Sequence, residues 1–99
     1  MSKLLQRRRV VKDLLAGRGD ALVIAGLGAP AWDITHAGDH ELNFPLWGAM
    51  GGAAMIGLGL ALAQPKRQVL VITGDGEMLM GLGALATIAV QTPRNLVVY

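Results

Sequence analysis

The sequence predicts an α/β fold with three layers, in which helices cover both faces of a parallel sheet. Short apolar runs typical of buried strands alternate with longer segments typical of helices. The runs contain few polar residues, as expected of strands that are covered on both faces. The 99 residues allow one domain at most, and this predicted domain spans residues 1–99.

The first predicted element is an amphipathic helix near the N-terminus. Its apolar residues are spaced as one helical stripe, and its cations fall on the opposite side. We interpret the cations as a solvated face and expect no nucleic-acid partner. Glycines past the helix lead into Ala21 to Ala25, a predicted strand. The stripe consists of Leu4, Leu5, Val10, Val11, Leu14 and Leu15, and the cations are Lys3, Arg7, Arg8, Arg9 and Lys12.

A polar, proline-interrupted segment from Gly26 to Pro45 predicts a long loop, and long loops in compact domains often carry function. His36 and His40 lie in it, and histidine changes its charge near neutral pH. The segment begins Gly26-Leu27-Gly28-Ala29-Pro30-Ala31, which matches the permissive dinucleotide fingerprint after a strand. A dinucleotide-binding half domain is therefore an alternative. It lacks the expected acid about 20 positions on, and no apolar periodicity predicts a helix after Ala31.

The next segment, Leu46 to Ala63, consists entirely of apolar residues and glycines. Its length approaches the roughly 20 residues that span a bilayer, and Gly48 and Gly52 have the spacing of packed membrane helices. A non-catalytic membrane or assembly protein is thus a further alternative. The density of glycines and the acidic loop that follows favour a buried helix and no membrane partner.

A second buried strand, Val69 to Thr73, runs directly into Gly74-Asp75-Gly76. In a parallel sheet this places the acid at the carboxyl edge, where ligands bind. The glycines would let the backbone approach an anion, and a hard cation would relieve repulsion between that anion and Asp75. Alternatively, Asp75 only caps the next helix. A glycine-bearing helix is predicted as far as Gln91, and a third strand covers Asn95 to Tyr99.

The chain contains no cysteine, so a metal would be held by oxygen or histidine, which favours magnesium or calcium over zinc. The charged N-terminal stretch is followed by Asp13 and Asp20 and not by a continuous apolar core. A signal peptide is therefore not predicted, and we expect the protein in the cytoplasm.

Several motifs together resemble thiamine diphosphate-dependent decarboxylases and acetohydroxyacid synthases. In that superfamily a Gly-x-Met-Gly element opens an apolar helix, a charged turn follows, and a strand delivers Gly-Asp-Gly. Here these are Gly48-Ala49-Met50-Gly51, Gln64 to Arg67, and Gly74-Asp75-Gly76. From about Ala21 onward the chain resembles the diphosphate-binding (beta) subunit of sulfopyruvate and phosphonopyruvate decarboxylases. The resemblance implies that thiamine diphosphate and Mg²⁺ are the cofactors.

The resemblance also implies roles for individual residues. Asp75 would ligate Mg²⁺, while the backbone of Gly76 and Glu77, after Gly74, would bind the diphosphate. Met50 would hold the cofactor in the bent conformer that brings its aminopyrimidine to the thiazolium carbon. The Gly48 carbonyl would accept a hydrogen bond from the exocyclic amine of the pyrimidine. His36 and His40 would bind the substrate carboxylate or move a proton.

Two departures from the family pattern predict that this domain is C-terminally incomplete and has a partner. The family has a second magnesium ligand, an asparagine, after the third strand; Asn95 precedes that strand and does not replace it. The glutamate that contacts the aminopyrimidine is also missing, because Glu41 and Glu77 are unsuitably placed. We expect a pyrimidine-binding (alpha) subunit to supply it within a hetero- or homo-oligomer. The predicted function is one subunit of a decarboxylase for a small 2-oxo acid, inactive as an isolated fragment.

Overall fold

Helices and parallel strands alternate along the chain. The computed structural model describes residues 3–99, so Met1 and Ser2 of the predicted domain lie outside the described residues. The predicted α/β class is confirmed, with more elements than expected. The elements are α1 (Arg7–Leu15), β1 (Leu22–Ala25), α2 (Ala29–Ala37), β2 (Asn43–Pro45), α3 (Ala53–Ala63), β3 (Val69–Ile72), α4 (Asp75–Met80), α5 (Ala84–Gln91) and β4 (Leu96–Val98).

The strands form a four-stranded sheet in the order β2-β1-β3-β4, and every pairing is parallel. Ile24 of β1 lies between Phe44 of β2 and Val71 of β3. All strands therefore point the same way, and their carboxyl ends share one edge of the sheet. Because the chain steps from β1 to β2 on one side and later returns to β3 on the other, β1 and β3 flank the point where the strand order reverses.

Each face of the sheet has its own apolar core. Alternate residues of β1 and β3 point to opposite faces, as the strand period requires. One core joins them to α1 and α2 and contains Val11, Leu15, Val23, Ala25, Ala31, Ile34, Leu70 and Ile72. The other joins them to α3 and contains Ile24, Leu46, Ala53 and Val71. Helices thus cover both faces, as predicted.

The predicted long loop from Gly26 to Pro45 is wrong, because the structure places helix α2 and strand β2 within it. Pro30 occupies the first turn of α2, where its missing N–H costs nothing. The apparent lack of apolar periodicity came from Asp33, which lies on the buried face of the helix. Arg7 and Arg8 of α1 pair with this carboxylate, with Nε to oxygen distances of 2.5 and 3.5 Å. The paired charge replaces an apolar contact between the two helices.

The N-terminal helix is shorter than its apolar stripe suggests. It begins at Arg7, and Leu4 and Leu5 before it are 86% and 82% exposed. Val11 and Leu15 are buried as the pattern predicts. The solvated-face interpretation holds only in part, since Arg7 and Arg8 combine exposed side chains with ion pairs to buried Asp33.

The apolar run from Leu46 to Ala63 is a helix only over α3, and residues 46–52 form an irregular turn before it. The helix predicted as far as Gln91 is likewise divided into α4 and α5. Glycine clusters explain both interruptions, because glycine is a poor helix former. Within residues 3–99, no helix combines the length and apolarity that crossing a membrane requires.

Asn95 fastens the end of α3 to the start of β4. Its Nδ2 donates to the carbonyl oxygens of Ala61, Gln64 and Arg67 at 3.0, 3.0 and 2.8 Å. These carbonyls belong to the last turn of the helix and the turn after it, where intrahelical donors are lacking. The side chain therefore serves the fold at the amino edge of the sheet, away from the carboxyl edge.

Candidate functional site

The carboxyl edge of the sheet brings the ends of all four strands together. Backbone hydrogen bonds continue past the strand ends, from Gly26 N–H to Ile72 O at 2.8 Å and from Thr73 N–H to Tyr99 O at 3.0 Å. A cavity of about 400 Å³ opens between the ends of β3 and β4. Its lining consists of Thr73, Gly74, Asp75, Met78, Leu85, Val98 and Tyr99.

The Gly-Asp-Gly segment forms the link from β3 to the first turn of α4. Gly74 is extended, with φ −98° and ψ 165°, and its carbonyl accepts the Met78 N–H at 2.9 Å. Asp75 is exposed, and its Oδ1 accepts the Gly76 N–H at 2.8 Å. A Cβ built on Gly74 would meet nothing within 4 Å. The backbone at Gly74 therefore has free space beside it, and binding of a ligand there stays a prediction.

Residues 48–52, which we call the Met50 turn, lie against this segment. Ala49 has φ 53° and Gly51 φ 94°, and the Gly52 N–H closes the turn on Ala49 O at 2.8 Å. The turn packs backbone to backbone on the end of α4, because a Cβ on Gly81 would stand 2.0 Å from Gly51 O.

Met50 is the residue of this turn that faces the Gly-Asp-Gly segment. Its side chain is half exposed, and its Cε lies 3.9 Å from the place a Cβ on Gly76 would take. Gly48 begins the same turn, next to Trp47, whose ring packs edge-on to Trp32 of α2 with centroids 5.1 Å apart. The structure therefore brings Gly48, Met50, Gly74, Asp75 and Gly76 to one place. Their roles toward a cofactor stay a prediction.

The side chain of Glu77 is a feature that the sequence analysis missed, since only its backbone was assigned a role. It is buried, and its Oε2 accepts the Thr73 hydroxyl at 3.0 Å while Oε1 accepts the Gly51 N–H at 3.3 Å. It also fills the space beside Gly26, where an added Cβ would stand 1.6 Å from Oε2. The available signal was the spacing of Thr73 and Glu77, which places a hydroxyl and an acid on the same side of a helix start.

Charged groups are sparse at this edge. Among residues 3–99 no group of three or more histidine, aspartate or glutamate side chains could hold a metal ion. Asp75 therefore offers one metal ligand, and Glu77 is occupied by its protein partners. A cation here would depend on ligand and water oxygens for the rest of its shell, as Mg²⁺ at diphosphates commonly does.

His36 and His40 are not brought to this edge. His36 lies in the last turn of α2, and His40 follows that helix and precedes β2, so both are at the amino edge of the sheet. The Nδ1 of His40 accepts the Leu42 N–H at 3.0 Å, a local turn contact. Arg18 lies nearby and donates to Leu42 O at 3.3 Å, and its burial lowers the pKa of the guanidinium. Catalytic roles for the two histidines stay a prediction without geometric support.

The dinucleotide alternative was set aside partly for an incorrect reason. A helix does begin within Gly26-Leu27-Gly28-Ala29-Pro30-Ala31, at Ala29, directly after Gly28 with φ 83°. The stronger objection is electrostatic. The Glu77 carboxylate stands directly against Gly26, where the fingerprint would need open space for a pyrophosphate. An anion placed there would meet a like charge.

Comparison with protein families gives one match that covers most of the chain. The model described as "Thiamine pyrophosphate enzyme, C-terminal TPP binding domain" matches residues 26–99. The matched part begins at Gly26, beside the Glu77 carboxylate, and includes the Met50 turn and the Gly-Asp-Gly segment.

Comparison with curated proteins finds similar sequences in archaea and bacteria. The chain is 42% identical over 95 residues to sulfopyruvate decarboxylase subunit beta of Methanothermobacter thermautotrophicus, covering 96% of this chain and 51% of that protein. It is 38% identical to the subunit of the same name from Methanocaldococcus jannaschii, covering 91% and 48%. Phosphonopyruvate decarboxylase of Streptomyces viridochromogenes is 45% identical over 78 residues, covering 79% and 19%. The chain spans about half the length of the subunits it matches, and less of the longer protein.

Proposed function

The chain belongs to the thiamine pyrophosphate enzymes, as part of their C-terminal TPP binding domain, and from this membership we propose that it anchors the cofactor diphosphate in a 2-oxo acid decarboxylase. One observation carries the proposal: the Met50 side chain stands beside Gly76 at the carboxyl edge of the sheet. The residue assigned to the shape of the cofactor thus stands beside those assigned to its diphosphate.

Open backbone at the Gly-Asp-Gly segment supports binding of the diphosphate. Gly74 has free space around its Cα, and within residues 3–99 the Met50 Cε is the only heavy atom outside the chain neighbours and backbone of α4 that lies within 4 Å of a Cβ on Gly76. An anion can therefore approach the backbone N–H groups where α4 begins. In this proposal Gly74, Gly76 and the backbone of Glu77 bind phosphate oxygens, and the Gly76 N–H is shared between phosphate and Asp75 Oδ1.

Asp75 would supply a carboxylate ligand to Mg²⁺. Its side chain is exposed, and Oδ1 already accepts the Gly76 N–H at 2.8 Å, which leaves Oδ2 to face a cation. Mg²⁺ commonly uses one or two carboxylates and completes its octahedron with phosphate oxygens and water. A single acid at this edge is consistent with that coordination preference. In this proposal Asp75 holds the ion against the diphosphate.

Met50 and Gly48 act on the organic part of the cofactor in this proposal. The positive φ of Ala49 and Gly51 holds the turn in a shape that projects Met50 beside Gly76, with half of its surface available to a ligand. The apolar side chain would keep the two rings from separating, and the Gly48 carbonyl would accept from the exocyclic amine. When bound, thiamine diphosphate supplies the electron sink for loss of carbon dioxide.

The relatives suggest the class of substrate. They are named for sulfopyruvate and phosphonopyruvate, which are both 2-oxo acids. We therefore propose that the substrate is a substituted pyruvate. In the proposed reaction its carboxylate is lost as carbon dioxide. Because the chain spans about half of the beta subunits it resembles, the activity is proposed for the complete assembly.

A partner subunit is part of the proposal. Several relatives are named as beta subunits, and no glutamate of the described residues is available at this edge besides buried Glu77. A pyrimidine-binding alpha subunit would supply the acid for the aminopyrimidine. Large apolar side chains exposed near the carboxyl edge offer it a contact surface: Trp47, Met50, Leu79, Met80 and Leu82. A cytoplasmic location and the absence of nucleic-acid and membrane partners stay predictions.

A thermal-stability titration tests the proposed function. The full-length protein, assembled with its partner subunit, is melted with increasing thiamine diphosphate and Mg²⁺. A ligand that binds the native state raises the melting temperature, by an amount that corresponds to about 2.7 kcal/mol at a hundredfold excess over Kd. No rise, or a rise with NAD in place of thiamine diphosphate, would overturn the proposal.

A further inference from the structure

The side chain of Glu77 is a buried acid to which the proposed function, which uses only the backbone of this residue, assigns no role. It is 5% exposed, whereas Asp75, two residues before it, lies at the surface. No ion pair joins Glu77 to a cation within residues 3–99. Burying a carboxylate is costly unless donors satisfy it, so its hydrogen bonds indicate what the site requires of it.

Those hydrogen bonds join two separate segments. The Thr73 hydroxyl donates to Oε2 from the end of β3, and the Gly51 N–H donates to Oε1 from the Met50 turn. Gly26, just past β1, lies against the same carboxylate and has no side chain to displace it. One carboxylate thus connects the Met50 turn with the ends of β1 and β3, the two strands that flank the reversal in strand order.

We propose that Glu77 is a positioning residue whose carboxylate fixes the Met50 turn against the Gly-Asp-Gly segment. The inference rests on the proposed function, since it is through Met50 that the turn would contact the cofactor. Gly51 follows Met50 directly, so a bond to its N–H restrains the backbone that carries the Met50 side chain. Without the bond, the left-handed residues Ala49 and Gly51 lose an external restraint, and the turn opens more often.

The role requires an acceptor at Oε1 and not a negative charge as such. Glutamine keeps the shape and can present its oxygen to Gly51, while its NH₂ donates to the Thr73 hydroxyl, which is able to accept. Methionine has a similar volume but no comparable acceptor, so the Gly51 N–H loses its partner. Glu77→Gln and Glu77→Met therefore separate the hydrogen bond from the filling of space.

Hydrogen–deuterium exchange of the ligand-free assembled enzyme provides the first measurement. For a peptide that contains residues 48–52, Glu77→Met is expected to exchange about tenfold faster than the native protein, and Glu77→Gln within about twofold of it. Glu41→Gln, in an exposed residue at the opposite edge, is the control and should exchange like the native protein. Equal exchange in Glu77→Gln and Glu77→Met would overturn the inference.

Gly26→Ala provides a second test that does not require Glu77→Met to fold. The three heavy atoms nearest to the new Cβ all belong to the Glu77 carboxyl, so the substitution must displace it. Gly26→Ala should speed exchange at residues 48–52 by about the same factor as Glu77→Met. In a Glu77→Ala background the same substitution should add almost nothing, because the obstructing group is gone. Independent, additive effects would contradict the proposed contact.

Cofactor affinity separates failure of this inference from failure of the proposed function. If Glu77 positions the turn, Glu77→Met should raise the Kd for thiamine diphosphate about tenfold, and Glu77→Gln should raise it much less. A native enzyme that does not bind thiamine diphosphate would overturn the proposed function. A native enzyme that binds it, together with variants that bind it equally well, would overturn only the positioning role.

Discussion

The Cε of Met50 lies 3.9 Å from the place where a Cβ on Gly76 would stand. The turn that follows β2 therefore lies beside the helix that follows β3. Because these strands are separated in the sheet by β1, this arrangement spans the edge above the point where the strand order reverses. The space beside Gly76 is therefore bounded by protein on one side and open for a ligand elsewhere.

Replacing Gly76 by alanine should lower cofactor affinity without destabilising the fold. The added methyl group would be in ordinary van der Waals contact with Met50, and alanine is the better helix former in α4. The same methyl group would stand where the diphosphate must approach the backbone. We expect the Kd for thiamine diphosphate, measured by calorimetry, to rise about tenfold or more. An unchanged Kd would show that the diphosphate does not approach Gly76.

Two glycines of α3 should respond oppositely to alanine. A Cβ on Gly57 would stand 2.3 Å from Val71 Cγ2 of β3, whereas one on Gly59 would meet nothing within 4 Å. Gly57→Ala should destabilise the protein by about 1–3 kcal/mol through overpacking. Gly59→Ala should stabilise it by up to about 1 kcal/mol through helix propensity. Denaturant unfolding measures both, and changes of equal sign would contradict the packing of α3 on the sheet.

Arg7 should matter more to stability than Arg9, its neighbour on the same helix. Arg7 Nε lies 2.5 Å from an oxygen of fully buried Asp33, while Arg9 is exposed and has no ion pair to an acid within residues 3–99. Arg7→Ala should cost about 1 kcal/mol, because Arg8 at 3.5 Å compensates in part and solvent screens the exposed guanidinium. Arg9→Ala should stay within about 0.5 kcal/mol. If chemical denaturation gave equal losses of stability for Arg7→Ala and Arg9→Ala, the ion pair between Arg7 and Asp33 would be contradicted.

Asn95→Asp should destabilise the junction of α3 and β4. The native Nδ2 donates to three carbonyl oxygens, and a carboxylate of the same shape would face those oxygens with an acceptor. We expect a loss of about 1–3 kcal/mol above the pKa of the new acid, recovered in part as pH falls and the acid gains a proton to donate. A pH-independent stability difference from the native protein would contradict this.

The sequence predicted well those parts that depend on local pattern. The apolar strands at Ala21 to Ala25 and Val69 to Thr73 and the acid at their carboxyl edge all follow from short-range chemistry. Helix α2 was missed because Asp33 breaks its apolar face, and only the tertiary pairing with Arg7 and Arg8 makes that acid compatible with burial. The local pattern around Asp33 does not show that its partners lie in α1, which β1 separates from α2 in the sequence.

The candidate site was predicted unevenly for a related reason. The resemblance of two glycine-rich segments to the family assigned roles to Met50 and Asp75, and the structure places these segments side by side, while the roles stay a prediction. The side chain of Glu77 was missed because its partners, Gly51 and Thr73, come from two segments that only the folded sheet brings together. The histidines were expected near the site because they precede the Met50 turn in sequence. However, β2 lies between the histidines and the Met50 turn and carries the chain from the amino edge of the sheet to the carboxyl edge.

The magnesium dependence of cofactor binding by Asp75→Ala tests the central claim most directly. In the complete assembly, the Kd for thiamine diphosphate is measured by calorimetry with Mg²⁺ and with a chelator, for the native protein, Asp75→Ala and the exposed control Asp13→Ala. We predict that Mg²⁺ tightens binding at least about tenfold in the native protein and the control, and has little effect in Asp75→Ala. An Asp75→Ala enzyme with the native response to Mg²⁺ would contradict the account.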